Sequence, residues 1–345
     1  MTNSNVFQKN IKKQTWSMND FILGPGCYYQ VETTIADVNI VSRINPEYVL
    51  GRPAIYLVVD VFSHMITGLY VGLEKPSWTG AMMALVNAAS DKVSYCKAYD
   101  IDIQASEWIA KGLPDAILCG KGELISREAV ILLLDLQVRI ENIPSNNRDF
   151  KRILCKIDKL IQNNVQKLIS KDYKKTDVNV YRFGVDLKQF TKIVIEAVLC
   201  YNNSLMKSYD RTSLMIKDDV QPIPKNIWEW GIANFSGSLL RVPEEKVKLS
   251  FMPVGDAKVT KRGIEFNGMI YRSAKALTES WFEKANEGKW TINISYDPRL
   301  VNQIYYRHSD GKNCDTCYLA DVDSKYLDMS FAEVINKRGI VNETK

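Results

Sequence analysis

Apolar residues in the first part of the chain fall into three runs that predict three consecutive β-strands. The stretch Tyr29–Glu74 reads YQVETTIADVNIVSRINPEYVLGRPAIYLVVDVFSHMITGLYVGLE and is rich in β-branched and aromatic residues. Asn-Pro, Gly-Arg-Pro and Ser-His separate the runs, so we place strands at roughly 28–41, 53–61 and 66–74. The run AIYLVVDV hardly alternates between apolar and polar residues, which indicates a strand buried on both faces.

Helical spacing of apolar residues begins after Pro76 and recurs through the next part of the chain. Met82, Leu85, Val86 and Ala89 share one helix face. The pattern also predicts two further strands, the second of which stops before Pro144. In chain order, we expect a helix at Trp78–Tyr95, a short helix at 104–111, a strand at Ala116–Cys119, a helix at Arg127–Leu136, a strand at Val138–Ile143, and helices at Lys151–Lys171 and Leu187–Tyr201.

From Ile227 onward the pattern changes to short strands separated by turn signals. The segments VKLSFMPV, KVTKRGIEFNGMIY, WTINISYDP, QIYYRH and CYLADVD have the spacing of a small all-β barrel or sandwich, interrupted by a helix at Ala274–Ala285. The chain therefore divides into a polar arm (1–27), an α/β core (28–203), a linker (204–235), a β-barrel (236–335) and a tail (336–345).

Composition and charge exclude several classes of protein. The net charge of +5, from 45 basic and 40 acidic residues, is too small to identify a nucleic-acid partner without local clustering. Two histidines, His64 and His308, argue against a His-rich zinc site. Seven cysteines, an odd number, without a signal peptide fit free thiols in a reducing cytoplasm. No apolar run approaches the length of a membrane span.

The motifs of both halves together resemble a known family. ETTIADVNIV, GRPAIYLVVDVFSHMITGLYVGLE and PSWTGAMMALVNAASDK resemble the RNase H-like core of TnsB-type transposases, which are relatives of the phage Mu transposase within the DDE transposase and retroviral-type integrase superfamily. NIWEWGI, KVTKRGIEFNGMIY and YDPRLVNQIYY resemble the β-barrel that follows this core. The resemblance covers about residues 24–335. It implies an RNase H-like integrase core with a mixed five-stranded sheet, a Mu-type barrel, and a bacterial, cytoplasmic role in DNA transposition.

The resemblance also implies where the catalytic residues belong. The family places Asp, Asp and Glu around two Mg²⁺ ions that activate the attacking oxygen and stabilise the leaving one. The matching positions here are Glu32, Gly120 and Cys155, the last 35 residues after the second. Glycine offers no ligand, and a soft thiol disfavours magnesium. Glu32 remains as one weak metal ligand, so we expect no cofactor and no catalysis.

Four other acidic residues near these positions have alternative interpretations. Glu123 follows the second position by three residues, and Asp158 lies nearly one helical turn after the third. Either could replace a missing ligand, but a solvated surface acid is the simpler expectation. Asp60 matches a structural neighbour in the family, and Asp37 would point away from Glu32 on an extended strand. We expect structural roles for both.

Two groups of basic residues are candidates for DNA contact, although either could simply be a solvated surface. In the family, the helix that corresponds to Lys151–Lys171 lies against nucleic acid. Lys246 and Lys248 alternate with apolar residues and would share the outer face of one barrel strand. The helix candidates are Arg152, Lys156, Lys159, Lys167 and Lys171, and the barrel candidates are Lys246, Lys248, Lys258, Lys261 and Arg262.

Two further motifs are expected to be structural. Cys314 and Cys317 form a single Cys-x-x-Cys pair without the second pair or the spaced histidines that a zinc site needs. Trp228 and Trp230 are expected to anchor the linker on the core rather than stack on bases.

Three functional hypotheses follow. TnsB-type proteins carry DNA-binding domains before the core and a tail that engages a AAA+ ATPase, whereas this chain begins near the core and stops soon after the barrel. The first hypothesis is therefore a truncated, non-catalytic DNA-binding or assembly module, able to associate with itself and with doubtful ATPase recruitment. The second is an active metal-dependent strand transferase that uses Glu32 with unconventional ligands. The third is a regulator that joins a full-length transposase.

Overall fold

The computed structural model describes residues 24–43, 45–119, 127–142, 148–173, 185–235, 238–310 and 313–335. The core carries β1 (Tyr28–Ile35), β2 (Ile40–Val41), β3 (Val49–Gly51), β4 (Ala54–Asp60), β5 (Ile66–Gly72), α1 (Trp78–Ala89), α2 (Lys92–Lys97), β6 (Ala116–Cys119), α3 (Arg127–Asp135), β7 (Arg139–Asn142), α4 (Arg148–Tyr173) and α5 (Leu187–Asn202). The helices α6 (Ser213–Lys217), α7 (Pro224–Asn234) and α8 (Glu244–Phe251) follow.

A mixed five-stranded sheet organises the core in the order β5-β4-β1-β6-β7. The strand β1 lies at its centre, antiparallel to β4 with Glu32 opposite Leu57, and parallel to β6 with Tyr29 opposite Ile117. Every residue of β4 and β5 is buried, as the lack of alternation in AIYLVVD predicts. The sheet and its flanking helices confirm the predicted α/β core.

The helix α1 packs against β4 and β5 at a close approach that Gly68 permits. A Cβ atom at Gly68 would lie 2.5 Å from the carbonyl oxygen of Ala84 and 2.6 Å from the amide nitrogen of Ala88. Both neighbouring atoms belong to the helix backbone and cannot rotate away. The glycine therefore sets the distance between α1 and the sheet.

We expect Gly68→Ala to lower the free energy of unfolding by about 2–3 kcal/mol, because the helix must shift away from the sheet. Urea unfolding followed by circular dichroism measures the change. Gly288→Ala is the matched control, since a Cβ atom there meets nothing within 4 Å. Equal effects of the two substitutions would show that the close approach is not what matters.

Three predicted elements of the core differ in the structure. The expected first strand ends at Ile35, and the residues after it form the separate hairpin of β2 and β3. The expected helix Trp78–Tyr95 breaks at Ser90, and α2 restarts where the Asp91 carboxylate accepts a hydrogen bond from the Ser94 amide at 2.7 Å. The segment 104–111 forms turns rather than a helix. Its apolar signal comes from Trp108, which is buried and donates its indole N–H to the Ile66 carbonyl at 2.8 Å.

The segment predicted as a linker contains α6 and α7 and packs on the core. Trp228 is buried with its ring centre 6.5 Å from that of Tyr29. Trp230 stacks parallel to Phe62 and donates its indole N–H to Asp218 at 2.8 Å. Both tryptophans thus anchor this segment on the core, as expected, and the segment contains two helices.

The expected first barrel strand, which included Lys246 and Lys248, is wrong, because these residues lie on the helix α8. Val247, Leu249 and Phe251 alternate along the sequence and are all buried, which imitates a half-buried strand. Pro243 and the acids Glu244 and Glu245 in the first turn instead favour a helix start. Val247 and Phe251, four residues apart, share a helix face, and α8 packs against α1.

The C-terminal domain is a closed six-stranded antiparallel barrel in the order β10-β13-β12-β11-β8-β9, which confirms the predicted barrel. The predicted helix Ala274–Ala285 is divided into two short helices at Ser280, whose φ is 53°. The elements are β8 (Val254–Thr260), β9 (Gly263–Phe266), β10 (Met269–Arg272), α9 (Ala274–Thr278), α10 (Trp281–Lys284), β11 (Trp290–Tyr296), β12 (Gln303–Arg307) and β13 (Cys314–Leu319).

A buried arginine of the barrel domain contacts two tyrosines of the core. The loop after β11 places Arg299 with its guanidinium 5.1 Å from the ring centre of Tyr70 and 5.7 Å from that of Tyr95. Asp297 holds the guanidinium at 2.7 Å. A second contact comes from Glu333, which accepts hydrogen bonds from the Ser42 hydroxyl at 2.8 Å and the Arg43 amide at 2.9 Å.

Candidate nucleic-acid interface at the degenerate catalytic centre

Glu32 lies in the middle of β1, with its side chain about half-buried. Gln30, two residues earlier on the same face, donates its side-chain amide to the carboxylate. Burial raises the pKa of Glu32 above its ordinary value, while the hydrogen bond from Gln30 and the positive charge of Lys151 on α4 act in the opposite direction. The first metal position of the family is thus a partly desolvated carboxyl already paired with an amide.

The carboxyl of Glu32 should titrate above the ordinary range for glutamate, and Lys151→Gln should raise its pKa further. Removing the lysine charge removes one of the interactions that favour the ionised form. NMR titration of the side-chain carbonyl carbon of Glu32 measures both values. Lys167→Gln is the control, because residue 167 lies on the same helix but more than four turns away. A pKa that does not move with Lys151→Gln would show that the lysine does not act on Glu32.

The third metal position, Cys155, is exposed on α4, and α4 packs against β1. Between residues 150 and 167 of α4, the buried residues are Phe150, Ile153, Ile157, Ile161 and Val165, at spacings of three or four. The opposite face of the helix is therefore turned away from the core. Gly120 and Glu123 lie outside the described residues. Asp158 is half-buried, and burial alone raises the pKa of its carboxyl.

The donor set around Glu32 does not fit two magnesium ions. Within the described ranges, no three His, Cys, Asp or Glu side chains group as metal ligands. The second position is a glycine, which has no side chain to contribute, and the third is a soft thiol. Two divalent ions need several hard anionic oxygens, and this position offers a single carboxyl with a raised pKa.

Basic side chains instead converge on the Cys155 face of α4. An open groove of about 640 Å³ lies between this helix and the segment that follows α5. None of the described residues that line it is acidic. Lys151 and Lys159 lie one turn before and one turn after Cys155 on the same helix face. The basic residues that line the groove are Lys151, Arg152, Lys156, Lys159 and Lys207.

The aromatic residues of the groove are held by the protein itself. The Lys156 ammonium lies 4.9 Å from the ring centre of Tyr201, and burial lowers the pKa of this lysine. The Tyr201 hydroxyl donates to the sulfur of Met206, and the Tyr209 hydroxyl donates to the Phe62 carbonyl at 2.7 Å. The rings of Tyr201 and Tyr209 form part of the groove wall. The groove therefore offers a ligand positive charge rather than rings for base stacking.

The structure groups only some of the basic residues that the sequence singles out. Arg152, Lys156 and Lys159 line the groove, Lys167 is exposed farther along α4, and the side chain of Lys171 lies outside the described residues. Sequence reasoning missed Lys151, at the predicted helix start, and Lys207, more than fifty residues away along the chain. Only the packing of α5 against α4 brings Lys207 to this face.

The barrel candidates do not form one basic face. Lys258 is exposed on β8, and Lys261 and Arg262 are exposed in the turn after it. Lys246 and Lys248 lie on α8, where Lys248 pairs with Glu244 at 2.9 Å. DNA contact by these residues stays a prediction.

The remaining candidates have structural surroundings. Asp60 is fully buried and accepts hydrogen bonds from the Gly26 amide at 2.8 Å and from the Ser63 amide and hydroxyl at 2.7 and 2.6 Å. Asp37 is exposed beyond the end of β1 and pairs with Arg52. Cys317 is buried inside the barrel, and Cys314, three residues earlier on the same strand, is partly exposed.

Comparison with known proteins assigns the family. Residues 30–169 match the model of the TnsB C-terminal domain, and residues 248–315 match that of the Mu transposase C-terminal domain. The chain is 33% identical over 343 residues to the Transposon Tn7 transposition protein TnsB of Escherichia coli, an alignment that covers 95% of this chain. The chain belongs to the TnsB-like transposase family. It spans 48% of the length of that relative.

Solved structures resemble this TnsB-like chain only distantly. One is from the simian T-cell lymphotropic virus intasome in complex with the PP2A regulatory subunit B56 gamma, at 13% identity, covering 56% of this chain and 55% of that chain, with a TM-score of 0.33. Another is the catalytic core domain of BIV integrase, at 8% identity, covering 59% of this chain and 95% of that chain, with a TM-score of 0.31. The fold assignment rests on the strand order and the domain matches. Among the described residues, no helix is both long and apolar enough to cross a membrane.

Proposed function

We propose that this TnsB-like chain binds the DNA backbone through the groove around Cys155 and contributes to a transposition complex without carrying out strand transfer itself. The observation that carries the proposal is the set of five basic side chains in a groove whose described lining includes no acidic residue. Lys and Arg side chains that neutralise phosphates supply most of the sequence-independent affinity of proteins for DNA. Backbone contacts also fix orientation, which is what an assembly module requires.

The donor set supports the non-catalytic half of the proposal. Strand transfer in this family depends on two metal ions that stabilise the attacking and leaving oxygens. Glu32 is the one carboxyl at the three metal positions, and it is partly buried and bonded to Gln30. The groove cations can hold a phosphate in place, but a lysine ammonium does not activate a hydroxyl nucleophile.

DNA binding is tested by fluorescence anisotropy of a labelled duplex over a series of salt concentrations. We expect binding at low salt and a slope of log K against log salt of about −2 to −4.5, if two to five groove cations meet phosphates. A random duplex and transposon-end DNA should bind alike. Absence of binding at low salt contradicts the proposal.

Catalysis is tested separately with pre-cleaved transposon-end DNA and a plasmid target in Mg²⁺ or Mn²⁺. We expect no joined product. A product that disappears with Glu32→Gln would support the alternative of an active strand transferase that uses Glu32. Product that persists with Glu32→Gln would argue against the alternative that uses Glu32.

A further inference from the structure

Position 155 is surrounded by positive charge where the family places a carboxylate. Lys151, Cys155 and Lys159 are spaced by four residues, so they follow one another on one face of α4. All three are exposed and line the same groove. A divalent cation at this place would meet an ammonium group on either side along the helix.

The positive charge extends from the groove toward the first metal position. Lys151 lines the groove and also acts on the carboxyl of Glu32 in β1. Lys207 adds a further exposed cation from the segment after α5. Fixed cations and a single carboxyl disfavour a free divalent ion and favour a phosphate, because like charges repel at short range with little screening.

We propose that the basic groove replaces the metal ions, so that this chain binds DNA without any divalent cation. The proposal rests on the proposed function and adds a specific property to it. In a metal-dependent site, Mg²⁺ bridges carboxylates to the phosphate. Here Lys151, Lys159 and Lys207 contact the phosphate oxygens directly. Added Mg²⁺ then acts only as a competing counterion and weakens the complex.

The first arm of the test measures DNA affinity in Mg²⁺ and in EDTA at matched ionic strength. We expect the affinity in EDTA to be equal to that in Mg²⁺ or several-fold higher. A loss of about tenfold or more in EDTA overturns the metal-independence while leaving the proposed function intact. Failure to bind in both conditions overturns the proposed function and this inference together.

The second arm measures metal binding directly by electron paramagnetic resonance of Mn²⁺ titrated with the unmodified protein. We expect no stoichiometric site at submillimolar Mn²⁺, and a site of that affinity abolished by Glu32→Gln would overturn the inference. The positive control restores the family carboxylates as Glu32→Asp, Gly120→Asp and Cys155→Glu. The restored protein is expected to gain a Mn²⁺ site. If this triple variant does not fold, the single variant Cys155→Glu serves as the positive control.

Discussion

Replacing Lys151, Lys159 and Lys207 together by glutamine is expected to weaken DNA binding by about 10²–10³-fold at about 0.1 M salt. For each phosphate contact that is lost, binding releases nearly one counterion fewer. The loss of three contacts should therefore make the slope of log K against log salt shallower by about 2.7. All three side chains are exposed, and the substitutions leave the buried face of α4 untouched. Anisotropy titrations over a range of salt concentrations measure both quantities.

The matched control removes the same net charge from the barrel, as Lys258→Gln, Lys261→Gln and Arg262→Gln. These side chains are exposed around the end of β8 and do not line the groove. We expect the control to change the affinity for DNA by less than about fivefold, because it alters only the overall electrostatic field of the protein. If the barrel triple weakens binding as much as the groove triple, the groove is not the DNA site and the barrel alternative gains support.

Arg299→Met should lower the free energy of unfolding by about 3–5 kcal/mol, because it leaves the Asp297 carboxylate at the interface without its cation. The Arg299 side chain is 10% exposed. Burial opposes its charge, yet Asp297, Tyr99 and Tyr95 keep the pKa of the guanidinium well above its ordinary value. The substitution also removes stacking on Tyr70. Chemical denaturation provides the measurement.

A double-mutant cycle separates the charge from the packing. Asp297→Asn removes the uncompensated carboxylate, so the double variant should be more stable than the sum of the two single effects predicts. Arg262→Met on the exposed turn is the control and should change stability by no more than about 0.5 kcal/mol. A loss below about 1 kcal/mol for Arg299→Met would mean that the Arg299 charge contributes little to holding the barrel on the core.

The long elements of this chain could be predicted from sequence, because each depends on a periodicity that local packing satisfies. The central sheet and the helix that became α4 follow directly from their apolar patterns. One failure occurs where two periods coincide. Val247, Leu249 and Phe251 alternate like a strand, and only the first-turn acids distinguish α8 from one.

The site was predictable only in part, because its charge comes from two separate segments. Sequence reasoning placed Arg152, Lys156 and Lys159 on one helix face, but Lys207 joins them through tertiary packing that no local pattern encodes. The loss of carboxylates at positions 120 and 155 is visible in the sequence through the family motif. The basic side chains on either side of Cys155 can be recognised as one candidate DNA site only when the groove they line is known.

The interface through Arg299 has a consequence for the shape of any DNA that the protein holds. Contacts at Tyr70, Tyr95 and Ser42 fix the barrel to both the sheet side and the hairpin side of the core. The two domains therefore cannot swing about the segment 204–235 without separating Arg299 from the two tyrosines and Glu333 from Ser42. A duplex that contacts both domains therefore has to adapt to their fixed arrangement by its own bending, which costs less free energy at flexible pyrimidine–purine steps than in stiff A-tracts.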